Sequence, residues 1–158
     1  MKPMTFERTI AARVDQVWAV MADIDRYAER FAGVDSAVRL STGGFGVGTQ
    51  WRETRTVYGR SATVENRVTE SQTLHRYVFE AHVGARAITE VVFTPSVDGA
   101  HTSVRVTFQT RGGGPAYRLA QFLTLRWVRK CVIDNNTRDL ADLARICEGE
   151  QRRPALSG

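Results

Sequence analysis

The stretch PAYRLAQFLTLRWVRKCVIDNNTRDLADLARIC, Pro115–Cys147, decides the fold. Within it Ile133, Thr137, Leu140 and Ala144 recur at steps of three and four, which places them on one face of an α-helix. Proline at the first helical position gives up an N–H that would have had no intrahelical partner, and its φ is already helical. Gly112-Gly113-Gly114 in front of it let the chain swing in from a strand, and Gly149 is the expected stop. Such a helix measures about 50 Å at ~1.5 Å per residue, longer than a crossover between strands requires. Almost everything before it reads as strand, so the expectation is an α+β arrangement in which a curved antiparallel sheet grips one long helix.

Working back from the helix, the chain opens with an alternating segment, Thr5–Ala12, in which Phe6 and Ile10 share a side. The period then changes. Val14, Val17, Trp18 and Met21 follow helical spacing, with Asp15 in the first turn where the helix dipole favours a carboxylate. Asp23 or Asp25 is the expected cap of a second short helix running from Tyr27 to Phe31. From Asp35 onward come Ser36–Leu40, Thr49–Tyr58, Arg60–Thr69, Leu74–His82, Ile88–Thr94 and Thr102–Thr110. Turn residues join them, among them Tyr58-Gly59, Val83-Gly84 and Asp98-Gly99, and short joins imply antiparallel neighbours. With the first strand the sheet has seven members.

Length and composition set bounds on function. The chain has 158 residues, 42% hydrophobic and 25% charged, which suits one domain over 1–149 followed by a disordered tail, 150–158. There is no apolar run long enough for a transmembrane segment and no secretory leader pattern, so a cytoplasmic protein is expected. Cys131 and Cys147 fall about 24 Å apart along the same helix, out of disulfide reach, and have no metal-ligand spacing around them. The net charge is +5, but the basic residues are scattered and lack interleaved stacking aromatics, so nucleic acid is not an expected partner. A monomer or homodimer is expected, with no metal and no cofactor.

Alternation picks out one inward face: Trp51 and Val57, then Ala62, Val64 and Val68, then Tyr77 and Phe79, then Val91 and Phe93, then Val104, Val106 and Phe108. A face this aromatic, curved round a helix, either fills its interior or leaves a cavity. Glu53 and Arg55 share parity with Trp51, and Asn66 with Val64. Buried polar groups need a partner, a water or a ligand, so their presence points to a cavity. Glu53 and Arg55 read first as a neutralised in-sheet pair. Gly43-Gly44-Phe45-Gly46-Val47-Gly48 runs into a strand and has no Gly-Lys-Ser/Thr, so it reads as a hairpin loop, not a phosphate loop. His75, His82 and His101 have no ligand spacing, and no nucleophile elbow is present.

Several segments together resemble a known family. Ile10-Ala11-Ala12-Arg13-Val14-Asp15-Gln16-Val17-Trp18, Asp25-Arg26-Tyr27, Gly46-Val47-Gly48-Thr49-Gln50-Trp51-Arg52-Glu53-Thr54-Arg55 with Gly59-Arg60, Phe93-Thr94-Pro95 and Asp139-Leu140-Ala141-Asp142-Leu143 are similar to the polyketide cyclase/dehydrase and lipid-transport family. That family lies within the START/birch-pollen-allergen helix-grip (SRPBCC) superfamily. The resemblance spans residues 4 to about 148. It implies a seven-stranded sheet wrapped round the last helix, enclosing a cavity for a hydrophobic small molecule.

The functional expectation is a binding or carrier protein for an apolar or aromatic, lipid- or polyketide-like molecule. The alternative is a cyclase/aromatase-type enzyme in the same cavity, with Glu53 or Tyr77 as acid/base. The candidate ligand residues are Trp51, Glu53, Arg55, Asn66, Tyr77, Phe79, Val91, Phe93, Phe108, Arg126, Arg129 and Ile133. No catalytic residue is assigned. The helix pattern holds a conflict: Arg126 and Arg129 fall near the face of Ile133 and Leu140, while Leu119, Leu123 and Trp127 point elsewhere. Either a kink or π-bulge near Lys130 shifts the register, or the helix is regular and the arginines overhang the cavity mouth to receive an acidic head group.

Overall fold

The computed structural model describes residues 2–152. In order it contains β1 (Met4–Ile10), α1 (Val14–Ala22), a 3₁₀ turn (Ile24–Arg26), α2 (Tyr27–Arg30), β2 (Ser36–Arg39), β3 (Gln50–Val57), β4 (Arg60–Gln72), β5 (Arg76–His82), β6 (Arg86–Pro95), β7 (Thr102–Arg111) and α3 (Pro115–Arg152). The seven strands form one sheet in the order β1-β7-β6-β5-β4-β3-β2. Every neighbouring pair is antiparallel.

Local chemistry sets this order. Between the paired residues Val57 and Arg60, Tyr58 and Gly59 both have positive φ, 50° and 73°. That is the two-residue hairpin geometry whose twist matches the flanking strands. On β4 the register shifts between Val68 and Glu70, a bulge that bends the strand. Bending here helps curl the sheet round its contents.

The core lies at one end of the curve. Trp18 on α1 packs edge-on against Phe93, Tyr77 and Phe45, with ring centroids 5.3, 5.7 and 5.8 Å away. Val17, Val20, Ile24, Tyr27 and Phe31 bury the rest of the helical layer against the sheet. On the C-terminal half of α3, Leu140, Leu143, Ala144 and Cys147 are buried. Hydrogen bonds from Ala32 N–H to Asp142 and from Ala11 N–H to Glu148 fix that half to the chain around it.

The structure corrects several sequence expectations. Neither Asp23 nor Asp25 caps a helix with its side chain; the Asp23 carboxylate instead lies 3.0 Å from Arg30 Nη1. Gly149 does not stop α3, which continues through Arg152 and so into the segment expected as tail. A glycine inside a helix costs about 1 kcal/mol relative to alanine, which a long packed helix absorbs. Residues 153–158 lie outside the described residues. Ala62 has inward parity yet is exposed, near the free end of the β3–β4 hairpin.

No π-turn interrupts Pro115–Arg152, so a π-bulge near Lys130 does not shift the register. Ile133 is 42% exposed and does not grip the sheet. Its heptad successor Leu140 is 5% exposed. The two share a helix face, but the hydrogen bonds to α2 and to the turn after β1 begin only at Asp142.

Candidate functional site

Sheet and α3 enclose a cavity of about 110 Å³. Strand alternation delivers its sheet-side wall: Trp51, Glu53 and Arg55 from β3, Asn66 from β4, Tyr77 and Phe79 from β5, Thr89 and Val91 from β6, and Val106 from β7. Met21, Tyr27 and Phe31 close one end, and Asn136, Asp139, Leu140 and Leu143 of α3 form the roof. Those four α3 positions recur at helical spacing, so a single helix face supplies them all.

Most of this wall is aromatic or aliphatic, and its three charged side chains, Glu53, Arg55 and Asp139, form one cluster. Trp51 is 2% exposed, and its indole N–H donates to Glu53 Oε2 at 3.1 Å. Arg55 Nε donates to Glu53 Oε1 at 2.5 Å. The other arm of the same guanidinium reaches α3, where Nη1 lies 3.1 Å from Asp139 Oδ1 and Nη2 lies 2.8 Å from Asp139 Oδ2. This two-pronged contact matches the planar fork of arginine to a carboxylate. It also ties the middle of α3 to the sheet across 84 positions of sequence.

The charges of this cluster do not cancel, because one guanidinium stands between two carboxylates. Burial opposes the charge of Arg55, but Asp139 and then Glu53 outweigh it and hold the guanidinium above its ordinary pKa. Burial pushes the Asp139 carboxyl up; Arg55 offsets part of that, and Glu53 adds to the rise. Tyr77 and Tyr27 are both raised, chiefly by burial. The Tyr27 hydroxyl donates to the Met21 carbonyl at 2.5 Å. Asn66 is 5% exposed and faces the cavity. Its amide has no hydrogen-bond partner among the described residues, which leaves donors and an acceptor for a guest.

Of the residues expected at the site, Trp51, Glu53, Arg55, Asn66, Tyr77, Phe79 and Val91 come together on the wall. The remaining five lie elsewhere. Phe93 is spent on the Trp18 aromatic cluster. Phe108 pairs with Met4 on the neighbouring strand. Arg126, Arg129 and Ile133 line a separate open hollow along the N-terminal half of α3, apart from the cavity. Asp139 went unassigned by sequence reasoning although it stands in a motif that carried the family resemblance, because its importance depends on which strand residue it meets. Phe45 was missed too: the glycine loop before β3 folds it inward against Trp18 and Tyr77, with ring centroids 5.8 and 5.1 Å away.

Among the described residues no cluster of histidine, cysteine and carboxylates is arranged to hold a metal. Among the described residues no helix is long and apolar enough to cross a membrane.

The fold is shared with proteins of known structure. The aromatase/cyclase ZhuI from Streptomyces sp. R1128 superposes with a TM-score of 0.80 at 21% identity, covering 97% of each chain. A protein from Thermus thermophilus gives 0.77 at 20% identity, over 94% of this chain and 98% of its own. A START superfamily protein from Mycobacterium smegmatis gives 0.64 at 13% identity, over 93% and 97%. No curated protein matches the sequence. The family model described as polyketide cyclase / dehydrase and lipid transport matches residues 1–148. With that match across nearly its whole length, the chain belongs to the polyketide cyclase/dehydrase and lipid transport family.

Proposed function

We propose that the protein binds or carries a small aromatic or otherwise hydrophobic molecule, electrically neutral and bearing a hydroxyl or carbonyl group, in the cavity between sheet and α3. The observation that carries this reading is the pairing of Arg55. A free arginine in an apolar pocket would select an acid, but this one is saturated by Glu53 and Asp139. An anionic head group brought beside two carboxylates would be repelled. A neutral hydroxyl or carbonyl can instead bond to the unpartnered Asn66 amide or the edge of the carboxylate cluster. The aromatic wall of Trp51, Tyr77 and Phe79 suits a planar body. The enclosed volume of about 110 Å³ is below the ~300–1,000 Å³ typical of sites for drug-sized ligands. A small ring system fits inside, and a longer body must extend outward.

A second reading, a cyclase/aromatase-type enzyme, is favoured by one specific feature. Asp139 is a carboxyl with a raised pKa, in contact with a guanidinium and open to the cavity. Such a group is able to exchange a proton with a bound enol or ketone. The likeness to an aromatase/cyclase is compatible with this reading.

The test is a titration that follows Trp51 emission in a Trp18→Phe/Trp127→Phe background, with phenolic and quinone aromatics set against fatty acids of similar size. Native mass spectrometry of the freshly purified protein provides a second readout. The expected result is a response to neutral aromatics and none to the fatty acids. Tighter binding of carboxylic acids than of their neutral esters would overturn the reading. Conversion of a bound poly-β-ketone model compound, abolished in Asp139→Asn, would move the assignment to the enzyme.

A further inference from the structure

The N-terminal half of α3 spans the open side of the sheet between two anchors. At one, Tyr117 packs against Gly84 in the β5–β6 turn and against Gly113. At the other, Lys130 and Asp134 bond to the Tyr58 hydroxyl, and the Arg60 guanidinium stacks over Trp127 at 5.7 Å. Between these anchors, large apolar side chains of this half of the helix stay exposed. Leu119 is 62% exposed, Phe122 77%, Leu123 74% and Trp127 43%. At steps of three, one and four they form a single stripe, not scattered surface residues.

The charged residues that fall among and next to these side chains carry one sign. Arg126 and Arg129 are exposed, and neither has a carboxylate partner among the described residues. The sequence from Pro115 to Ile133 contains arginine and lysine but no aspartate or glutamate. Protruding Phe, Leu and Trp interspersed with long basic side chains, whose heads can reach up to the lipid phosphates, suit a helix that lies in the interfacial layer of a bilayer. A second copy of the chain is a poor occupant, since it would bring two bodies of net charge +5 together through their basic faces.

We propose that the N-terminal half of α3 is a docking surface for an anionic lipid bilayer. Phe122 and Leu123 enter the boundary between head groups and acyl chains, while Arg126 and Arg129 sit at the level of the lipid phosphates. The surface stands beside the cavity but does not depend on what the cavity holds. An apolar guest would then be exchanged with the membrane without crossing open water.

The experiment is co-sedimentation of the full chain with vesicles of phosphatidylcholine containing phosphatidylglycerol, against vesicles of phosphatidylcholine alone, at low and physiological salt. Binding is expected to the anionic vesicles only, weakening as salt rises. Phe122→Ser with Leu123→Ser removes two exposed side chains, so folding should be retained, as circular dichroism will check, and vesicle affinity should fall at least about a hundredfold. Arg126→Gln with Arg129→Gln should lower it roughly thirtyfold. The proposal is overturned by failure to bind anionic vesicles at low salt, by full binding of the Phe122/Leu123 variant, or by equal binding to both vesicle types. A dimer in sedimentation equilibrium that the Phe122/Leu123 variant dissolves, without vesicle binding, would overturn it in favour of self-association.

Discussion

Replacing Arg55 with methionine should destabilise the protein in a way that depends on pH. The guanidinium holds Glu53 at 2.5 Å and Asp139 at 2.8 and 3.1 Å. Without it two carboxylates face one another across the cavity wall. Breaking a buried ion pair by removing one partner costs about 3–5 kcal/mol. The side chains here keep some solvent contact, 20% for Arg55, 10% for Glu53 and 28% for Asp139. Screening through that contact reduces the figure to about 2–3 kcal/mol. At ~2–4 °C per kcal/mol for a chain of this size, the melting temperature should fall by roughly 4–12 °C at neutral pH.

The sign of the pH dependence follows from Asp139. Its carboxyl is already raised by burial, and Arg55 is the group that offsets the rise. In the variant its folded-state pKa therefore climbs further above the unfolded value of about 3.9. A raised carboxyl contributes full stability below its unfolded pKa and loses it as pH climbs through the folded pKa. Arg55→Met should thus approach the parent protein near pH ~4 and fall furthest behind above pH ~7. Urea denaturation across this range measures the gap, and repeating it in a Glu53→Gln/Asp139→Asn background should show the cost of Arg55→Met shrinking. A penalty of equal size at both ends of the range, or one that simply adds to the carboxylate substitutions, would refute the reasoning.

Three further outcomes follow from single contacts. Thr102 is fully buried, and its hydroxyl donates to the Ala12 carbonyl at 2.8 Å, so Thr102→Val should cost about 1–3 kcal/mol in urea unfolding; a change within error would show that the bond contributes nothing net. Gly113 has φ of 101°, and a Cβ there would run into the Tyr117 ring. Gly113→Ala should therefore raise hydrogen exchange at the start of α3 by loosening its first anchor, and the increase should be smaller in a Tyr117→Ala background. Phe45→Ala removes a ring packed on both Trp18 and Tyr77 and should cost about 3 kcal/mol, with Tyr77 fluorescence or near-ultraviolet dichroism reporting a loosened aromatic cluster.

Local periodicity was enough to reveal the strands, the turns between them and the long helix, because each leaves its mark within a few residues. Period-two alternation put Trp51, Glu53, Arg55 and Asn66 on one face, and these four do meet in the cavity. The Glu53–Arg55 pairing was legible for the same reason, since residues two apart on a strand are neighbours.

Other features exist only once the chain is folded. Asp139 becomes part of the site because the curvature of the sheet brings β3 under one turn of α3, and nothing near Asp139 in sequence specifies Arg55 as its partner. Phe45 enters the core because its loop folds back, which alternation does not describe. Ile133 and Leu140 occupy the same helix face and so look alike in sequence. The tertiary arrangement buries Leu140 at 5% and leaves Ile133 exposed at 42%. A helix pattern states which side chains share a side, but burial also requires a neighbour at that height along the axis, and α3 is longer than the layer that packs against it.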